Sequence, residues 1–461
     1  MKYDIKELIE NQHTFFATNI TKCVCERIKQ LTNLKNTLIK YESRILEALY
    51  ADLHKAPFDA YSSEFYVVLK EINYVLKNIH CWAKPHKVTT PLLYKPARSY
   101  IVPEPYGVIL IISPWNYPFQ LTFLPLIGAI AAGNCIVIKP SEHAPHTTRI
   151  MNTIISKLFD PAYVSIVQGG IDVGQELLEQ KFDYIFFTGS TRVGQFVMQA
   201  AAKHLTPLTL ELGGKSPCIV HSDAHIPQTA QRLAWGKFLN AGQNCVAPDY
   251  ALVHISQKYA LIDHIKKTIT QFFGDNPQTS SDYARIIDER HFDRLVPLLT
   301  QGSILTGGQY DRKDLYIEPT LLDNVDLTGS LMQEEIFGPL LPIITYEHID
   351  EAISFINNKS KPIALYIFSR NKKIHNKIIQ STSSGNVGIN DTILQAASSY
   401  LPFGGTGLSG FGRYHGKASF DIFSNQKSIF KKSLWFDNNL RYPPYGKLQK
   451  FIHNITRWKE R

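Results

Sequence analysis

The period of the apolar positions changes along the chain. Leu31, Leu34, Leu38, Ile45 and Leu49 recur at helical spacing, and Phe65–Lys77 repeats the pattern, so residues 1–84 read as helices. From 106 to about 210, short apolar runs at 107–113, 135–138, 164–167 and 184–187 alternate with helical patterns. A second alternating region, about 211–390, has runs near 217–221, 250–254, 341–345 and 363–368. Such alternation predicts βαβ units and parallel sheets, an α/β fold. Between the helical block and the first alternating region, Pro85, Pro91, Pro96, Pro103 and Pro105 enclose Thr-, Tyr- and Val-rich segments. That spacing predicts an extended arm or edge ribbon, with Ser428–Phe436 as a second edge strand. Residues 398–416 are Gly-rich.

Tyr106–Ile138 is 33 residues without a charged side chain, long enough to span a bilayer. Pro114, Pro118, Pro125 and Gly133-Asn134 divide it, so the better reading is strand, helix (Leu121–Ala132) and strand inside a folded core. Residues 1–10 lack the apolar run of a signal peptide.

Composition narrows the classes. At 461 residues, 44% hydrophobic and 19% charged, the chain is globular, and disorder and collagen are excluded. The net charge of +9 is concentrated at one end: residues 425–461 hold nine Lys/Arg against two Asp/Glu. The charge therefore gives no argument for a nucleic-acid partner. Within the tail, Leu448, Phe451, Ile452, Ile455 and Trp458 share one helical face, surrounded by Lys and Arg. A basic amphipathic helix of this kind suits either an anionic membrane surface or packing on its own body. The cysteines are 23, 25, 81, 135, 218 and 245. They form no CxxC pair and are too sparse for a disulfide scaffold, so a reducing cytoplasm is expected. All but Cys245 are expected to be small buried apolar groups. No His/Cys cluster has metal spacing, so no metal is expected and a zinc alcohol dehydrogenase is disfavoured.

Several segments carry chemistry. Phe187-Thr188-Gly189-Ser190-Thr191-Arg192-Val193-Gly194 ends a strand and opens a helix, where free N–H groups attract an anion. It departs from the G-x-G-x-x-G pattern and reads equally as an ordinary strand-to-helix turn. Lys139-Pro140-Ser141-Glu142 lies at a strand's carboxyl end, where ligands of parallel sheets bind. Asn240-Ala241-Gly242-Gln243-Asn244-Cys245 offers a nucleophile in a close-approach setting, and a nearby helix N-terminus would favour its thiolate. Glu211, between Leu210 and Leu212 and before Gly213-Gly214, suits a general base whose pKa burial would raise. Asn116, just after the strand 107–113, could donate to a developing oxyanion. Glu334-Glu335-Ile336-Phe337-Gly338-Pro339 and Pro402-Phe403-Gly404-Gly405 complete the set.

Together and in this order, these segments resemble the aldehyde dehydrogenase superfamily, over about residues 1–445. Arg413-Tyr414-His415-Gly416-Lys417, Arg441-Tyr442-Pro443-Pro444-Tyr445 and Ala247-Pro248-Asp249-Tyr250 are similar to its class 3 branch, which includes fatty aldehyde dehydrogenases. The resemblance implies NAD(P)-dependent oxidation of an aldehyde, medium- or long-chain aliphatic or aromatic, to its acid. Cys245 would be the nucleophile, Asn116 and the Cys245 N–H the oxyanion hole, and Glu211 the base, with Glu335 able to share that role. It implies cofactor contacts from Trp115, Lys139, Glu142, Gly189, Ser190, Thr191, Gly194, Leu212, Glu335 and Phe337. Tyr117 and Phe403 would line the substrate pocket. It also implies a Rossmann-like cofactor domain (1–84, 106–210 and 391–417), a catalytic domain (211–390) and an oligomerisation ribbon (85–105 and 418–436). The remainder, 437–461, is the basic tail. A homodimer is expected, and Lys447–Arg461 suits either packing on its own body or peripheral membrane contact. Asn244, Thr406 and Gln395 depart from the family pattern, and Gln395 is expected to alter the polarity of the substrate channel. A coenzyme A-acylating relative and a non-catalytic binding protein remain as alternatives. Glu211 argues against the first, and intact Cys245, Glu211 and Asn116 against the second.

Overall fold

The computed structural model describes residues 4–437, 442–445 and 453. The chain divides into two compact units, residues 1–82 with 104–425, and residues 83–103 with 426–461.

In the larger unit, helices Ile5–Ala17, Val24–Lys40, Glu42–Leu53 and Tyr66–Trp82 bury the leucines and isoleucines whose spacing announced them; Leu31, Leu34, Leu38, Ile45 and Leu49 are wholly buried. Two sheets follow. The first has six strands in the order Gly410–Phe411, Leu208–Glu211, Tyr184–Thr188, Val108–Ile112, Cys135–Lys139, Val164–Ile166. All neighbours pair in parallel except Gly410–Phe411. The five parallel strands therefore reverse winding between Val108–Ile112 and Tyr184–Thr188, the switch point where a doubly wound sheet opens a crevice. The uncharged stretch 106–138 is the middle of this body. Helix Gln120–Ala132 runs through Pro125 and is buried from Leu121 to Ala132. No helix among the described residues is long and apolar enough to cross a membrane.

The second sheet has seven strands in the order Ser303–Thr306, Thr320–Asp323, Leu340–Tyr346, Tyr250–His254, Pro217–Val220, Ala364–Phe368, Asn386–Ile389. Its neighbours are parallel except at the Ser303–Thr306 edge. Tyr250, Leu252, Ile219, Leu365 and Ile367 build its core against helix Ile349–Asn357.

In the smaller unit, His86–Val88 pairs antiparallel with the strand Ala97–Pro105, and Ser424–Lys432 lies on the other side of that strand. The second ribbon strand thus starts four residues before the expected Ser428, and Lys417–Ile422, placed partly in the ribbon by sequence, is a helix. The expected amphipathic segment 447–461 lies outside the described residues, apart from His453.

The cysteine expectation needs correction. Cys135 and Cys218 are buried, but Cys81 is exposed, and Cys23 and Cys25 are exposed and joined as a disulfide. Cys23 caps the start of helix Val24–Lys40 and Cys25 is its second residue, so both side chains project from a first turn rather than into the core.

Candidate active site

The two sheets offer opposite ends to one site. Asn116 follows the strand Val108–Ile112, and Glu211 is the last residue of Leu208–Glu211; both are on the six-stranded sheet. Cys245 and Glu335 precede the strands Tyr250–His254 and Leu340–Tyr346 of the other.

The loop before Cys245 is bent by three successive left-handed residues, Asn240 (φ 53°), Ala241 (φ 51°) and Gly242 (φ 74°). A Cβ on Gly242 would lie 2.2 Å from the Gly338 carbonyl oxygen, so only glycine lets this loop run against the one carrying Glu335. Gln243, buried and missed by sequence reasoning, fastens the bend. Its amide donates to the Asn240 and Arg285 carbonyls (3.0 and 2.9 Å) and accepts from the Ile287 N–H (3.0 Å). The Asn116 side-chain amide donates to the Gln243 carbonyl at 3.2 Å, which brings it onto the Cys245 loop.

The Cys245 thiol donates to Glu211 Oε1 at 3.7 Å. Burial pushes the Glu211 carboxyl up to about 8, while its hydrogen bond with Cys245 pulls the other way. Cys245 follows a 3-10 turn, and burial, then the Glu211 and Glu335 charges, hold its pKa well above the ordinary value. The Cys245 thiol and the Glu211 carboxyl thus meet across one hydrogen bond, both with pKa raised by burial.

On the other side of Glu211, the Glu335 carboxylate lies over Gly213. A Cβ there would meet its oxygens at 2.1 and 2.4 Å. Burial and the Asp249 charge push Glu335 up to about 8, against the Gly214 N–H, Lys215 and Arg294. Its loop is tied down by a buried ion pair that sequence reasoning did not single out. Lys215 bonds Asp249 and donates to the Leu331 and Glu334 carbonyls (2.7 and 2.8 Å), and Asp249 accepts from the Ile336 N–H at 3.0 Å. Phe337 (φ 51°) packs edge-on against Trp115 at 5.4 Å, and His291, held by Asp288, packs on the same indole at 4.7 Å.

Lys139 and Glu142 lie farther along the six-stranded sheet's carboxyl edge, paired with each other at 2.7 Å. Ser190 caps helix Thr191–Ala202 by accepting from the Val193 N–H, and Arg192 and Val193 are exposed there. Gly194 lets Leu212 approach the helix, since a Cβ would lie 2.8 Å from a Leu212 methyl. These groups fit a dinucleotide. Glu335 Oε1 is buried without a partner, which suits a ribose hydroxyl, and the open capped helix start suits a pyrophosphate. Among the described residues no group of three His, Cys, Asp or Glu could hold a metal.

Cys245 lies on the wall of a cavity of about 480 Å³, whose other walls include Phe58, Leu121, Trp235, Phe238, Phe272 and Ile393. Tyr117 and Phe403 line it as expected, and the Tyr117 hydroxyl accepts from the Asn244 amide at 3.3 Å. Gln395 does not line it. Its amide donates to the Tyr366 hydroxyl at 3.0 Å, so the expected change in channel polarity does not arise there.

The structure is a parallel-sheet body with an open strand edge and a cysteine hydrogen-bonded to a buried carboxyl. The chain belongs to the aldehyde dehydrogenase family, whose profile matches residues 2–429. It is similar to the 4,4'-diaponeurosporen-aldehyde dehydrogenase of Staphylococcus aureus, 49% identical over 97% of this chain and 98% of that one. It is likewise similar to mouse aldehyde dehydrogenase family 3 member A2, 48% identical over 91% of this chain and 87% of that one. A solved substrate-bound state of Staphylococcus aureus AldH superposes with a TM-score of 0.96 at 48% identity, covering 98% of this chain and all of that one. The chain is an aldehyde dehydrogenase that uses NAD(P) to oxidise aldehydes to acids.

Proposed function

We propose that the aldehydes are medium- or long-chain aliphatic or aromatic, and that Cys245, Glu211 and Asn116 carry the reaction. The observation that carries this reading is the largely apolar 480 Å³ cavity that reaches Cys245. One relative is named 4,4'-diaponeurosporen-aldehyde dehydrogenase.

Glu211 takes the Cys245 proton across their 3.7 Å contact and passes it to solvent. The thiolate adds to the aldehyde carbon, forming a C–S bond. The resulting oxyanion is met by the Asn116 amide and the Cys245 N–H. Held there, an oxidised nicotinamide would supply the acceptor for the hydride that leaves that carbon, which would leave Cys245 as a thioester. Glu211 then removes a proton from water, which adds to the thioester carbonyl. The C–S bond breaks, the acid leaves, and Cys245 is reprotonated. NAD or NADP would be held by Trp115, Lys139, Glu142, Gly189, Ser190, Thr191, Gly194, Leu212, Glu335 and Phe337, with Tyr117 and Phe403 as substrate walls. Residues 1–84, 106–210 and 391–417 would form the cofactor domain and 211–390 the catalytic domain.

A steady-state panel of short, long and aromatic aldehydes with NAD and with NADP tests this reading. Long-chain or aromatic substrates should give the highest kcat/KM without coenzyme A; a preference for two- to four-carbon aldehydes, or dependence on coenzyme A, would overturn it.

The chain would act as a homodimer in the cytoplasm. The ribbon residues 85–105 and 418–436 would join the subunits, supported by the exposed Leu92 and Phe430. Sedimentation velocity tests the dimer. The basic tail Lys447–Arg461 would touch anionic membranes, and co-sedimentation with phosphatidylserine vesicles, full chain against a 1–446 truncation, tests that contact.

A further inference from the structure

Behind Asn116 lies an ion pair with no access to solvent. The side chains of Lys55 and Glu64 are both 0% exposed, and they bond each other directly. Lys55 follows helix Glu42–Leu53, and Glu64 belongs to the π turn Ala60–Phe65 before helix Tyr66–Trp82. Neither has a place in the chemistry described above.

Burying two charges is costly, and an apolar pair of similar volume would hold the packing at least as well. What an apolar pair could not do is bond the loop that carries Asn116. Lys55 Nζ donates to the Asn116 carbonyl at 2.9 Å and sits 3.7 Å from the centre of the Tyr117 ring. Glu64 Oε2 accepts from the Phe119 and Gln120 N–H groups at 2.9 and 3.1 Å. Those donors open helix Gln120–Ala132, where no residue of the helix itself can satisfy them. Between them, the two side chains engage residues 116, 117, 119 and 120. On its far side, the Asn116 carbonyl also accepts from the Asn240 amide of the Cys245 loop at 3.0 Å. The Asn116 peptide is thus clamped between the helical block and the nucleophile's loop, and its side chain is aimed by that clamp.

We propose that Lys55 and Glu64 are a positioning pair for aldehyde oxidation, fixing the Asn116 amide where the oxyanion develops and Tyr117 at the cavity wall. The proposal rests on the reading of Asn116 as an oxyanion donor. It assigns the pair's effect to turnover and none to cofactor affinity.

The test is a cycle of full-length variants: Asn116→Ala, the double variant Lys55→Met/Glu64→Gln, and all three changes together. The double variant removes both charges of the pair and keeps an acceptor oxygen for the helix start, while the neighbouring Asp59 carboxyl loses the Lys55 charge. Turnover is counted per titrated Cys245 thiol, and NAD affinity is measured by fluorescence quenching. The double variant is expected to lose about 10- to 100-fold in kcat with NAD affinity within twofold of the parent. In the Asn116→Ala background the same two changes are expected to cost less than threefold, because their effect passes through Asn116. A double variant with kcat within threefold of the parent overturns the proposal. So does an undiminished loss in the Asn116→Ala background, or a parallel loss of NAD affinity. Asn116→Ala with unchanged kcat would instead overturn the oxyanion reading itself, and the pair's role with it. Should the double variant not fold, Lys55→Met/Glu64→Met carries the same expectations with an apolar pair in place.

Discussion

The six-stranded sheet reaches the site with the carboxyl ends of its strands, the seven-stranded sheet with the amino ends of its own. Asn116, Glu142 and Gly189 come just after strands of the first, and Glu211 ends one; Gly213, Cys245, Glu335 and Phe337 come just before strands of the second. The difference decides how each side chain is held. A residue after a parallel strand is close to the start of the next helix, where a cap fixes the turn, as Ser190 does for Thr191–Ala202 and Glu64 for Gln120–Ala132. A residue before a strand has no such neighbour. The second sheet holds its loops with left-handed backbone at Asn240, Ala241 and Phe337 and with the buried Lys215–Asp249 pair. Cys245 and Glu335 therefore stand on strained, ion-tied loops, while Glu211 stands in a regular strand.

Cys245→Ala gives the largest expected effect. Oxidation should fall by roughly 10⁴-fold or more, and mass spectrometry of the aldehyde- and NAD-treated protein should find no acyl adduct. Retained turnover would move the nucleophile off the second sheet and dissolve the comparison. Glu211→Gln should cost about 10²- to 10⁴-fold in kcat, with the acyl adduct now accumulating. The carboxyl titrates near 8, and only its ionised form accepts a proton. Parent kcat should thus rise with pH through about 8 and fall below it, and the variant should lack that limb.

Gly213→Ala sharpens the contrast at the second sheet. Its methyl would overlap the Glu335 carboxylate, 2.1 Å from Oε2, so NAD dissociation constants from fluorescence titration should rise about tenfold with a smaller change in kcat. An unchanged constant would free Glu335 from the ribose. Ser190→Ala probes a cap on the first sheet and should cost only about 1 kcal/mol of stability, read as a shift of the urea midpoint. A much larger loss would mean that the 189–194 turn, like the Asn116 loop with its Lys55–Glu64 pair, depends on more than a cap.

How much of this was readable depended on what each residue touches. The strand runs 135–138, 184–187, 250–254 and 363–368 coincide closely with strands because buried parallel strands must be continuously apolar. Cys245, Glu211 and Asn116, singled out by their neighbours in sequence, are brought together by the structure. Lys55, Glu64 and Gln243 were not singled out, since each acts on a partner 42 to 61 residues away. Lys215 and Asp249 lay inside quoted segments, yet a lysine beside glycines reads as solvated until its partner 34 residues on is known. Cys25 and Cys81 failed in the opposite way. Helical periodicity gives a residue's angle about the axis but not which angle faces the core near a helix end.

The contact of Gly242 with the Gly338 carbonyl has one more consequence. Two backbones meet there without an intervening side chain, so the loop before Cys245 and the loop carrying Glu335 are geared together. A shift of either is transmitted as displacement rather than absorbed by a rotamer change.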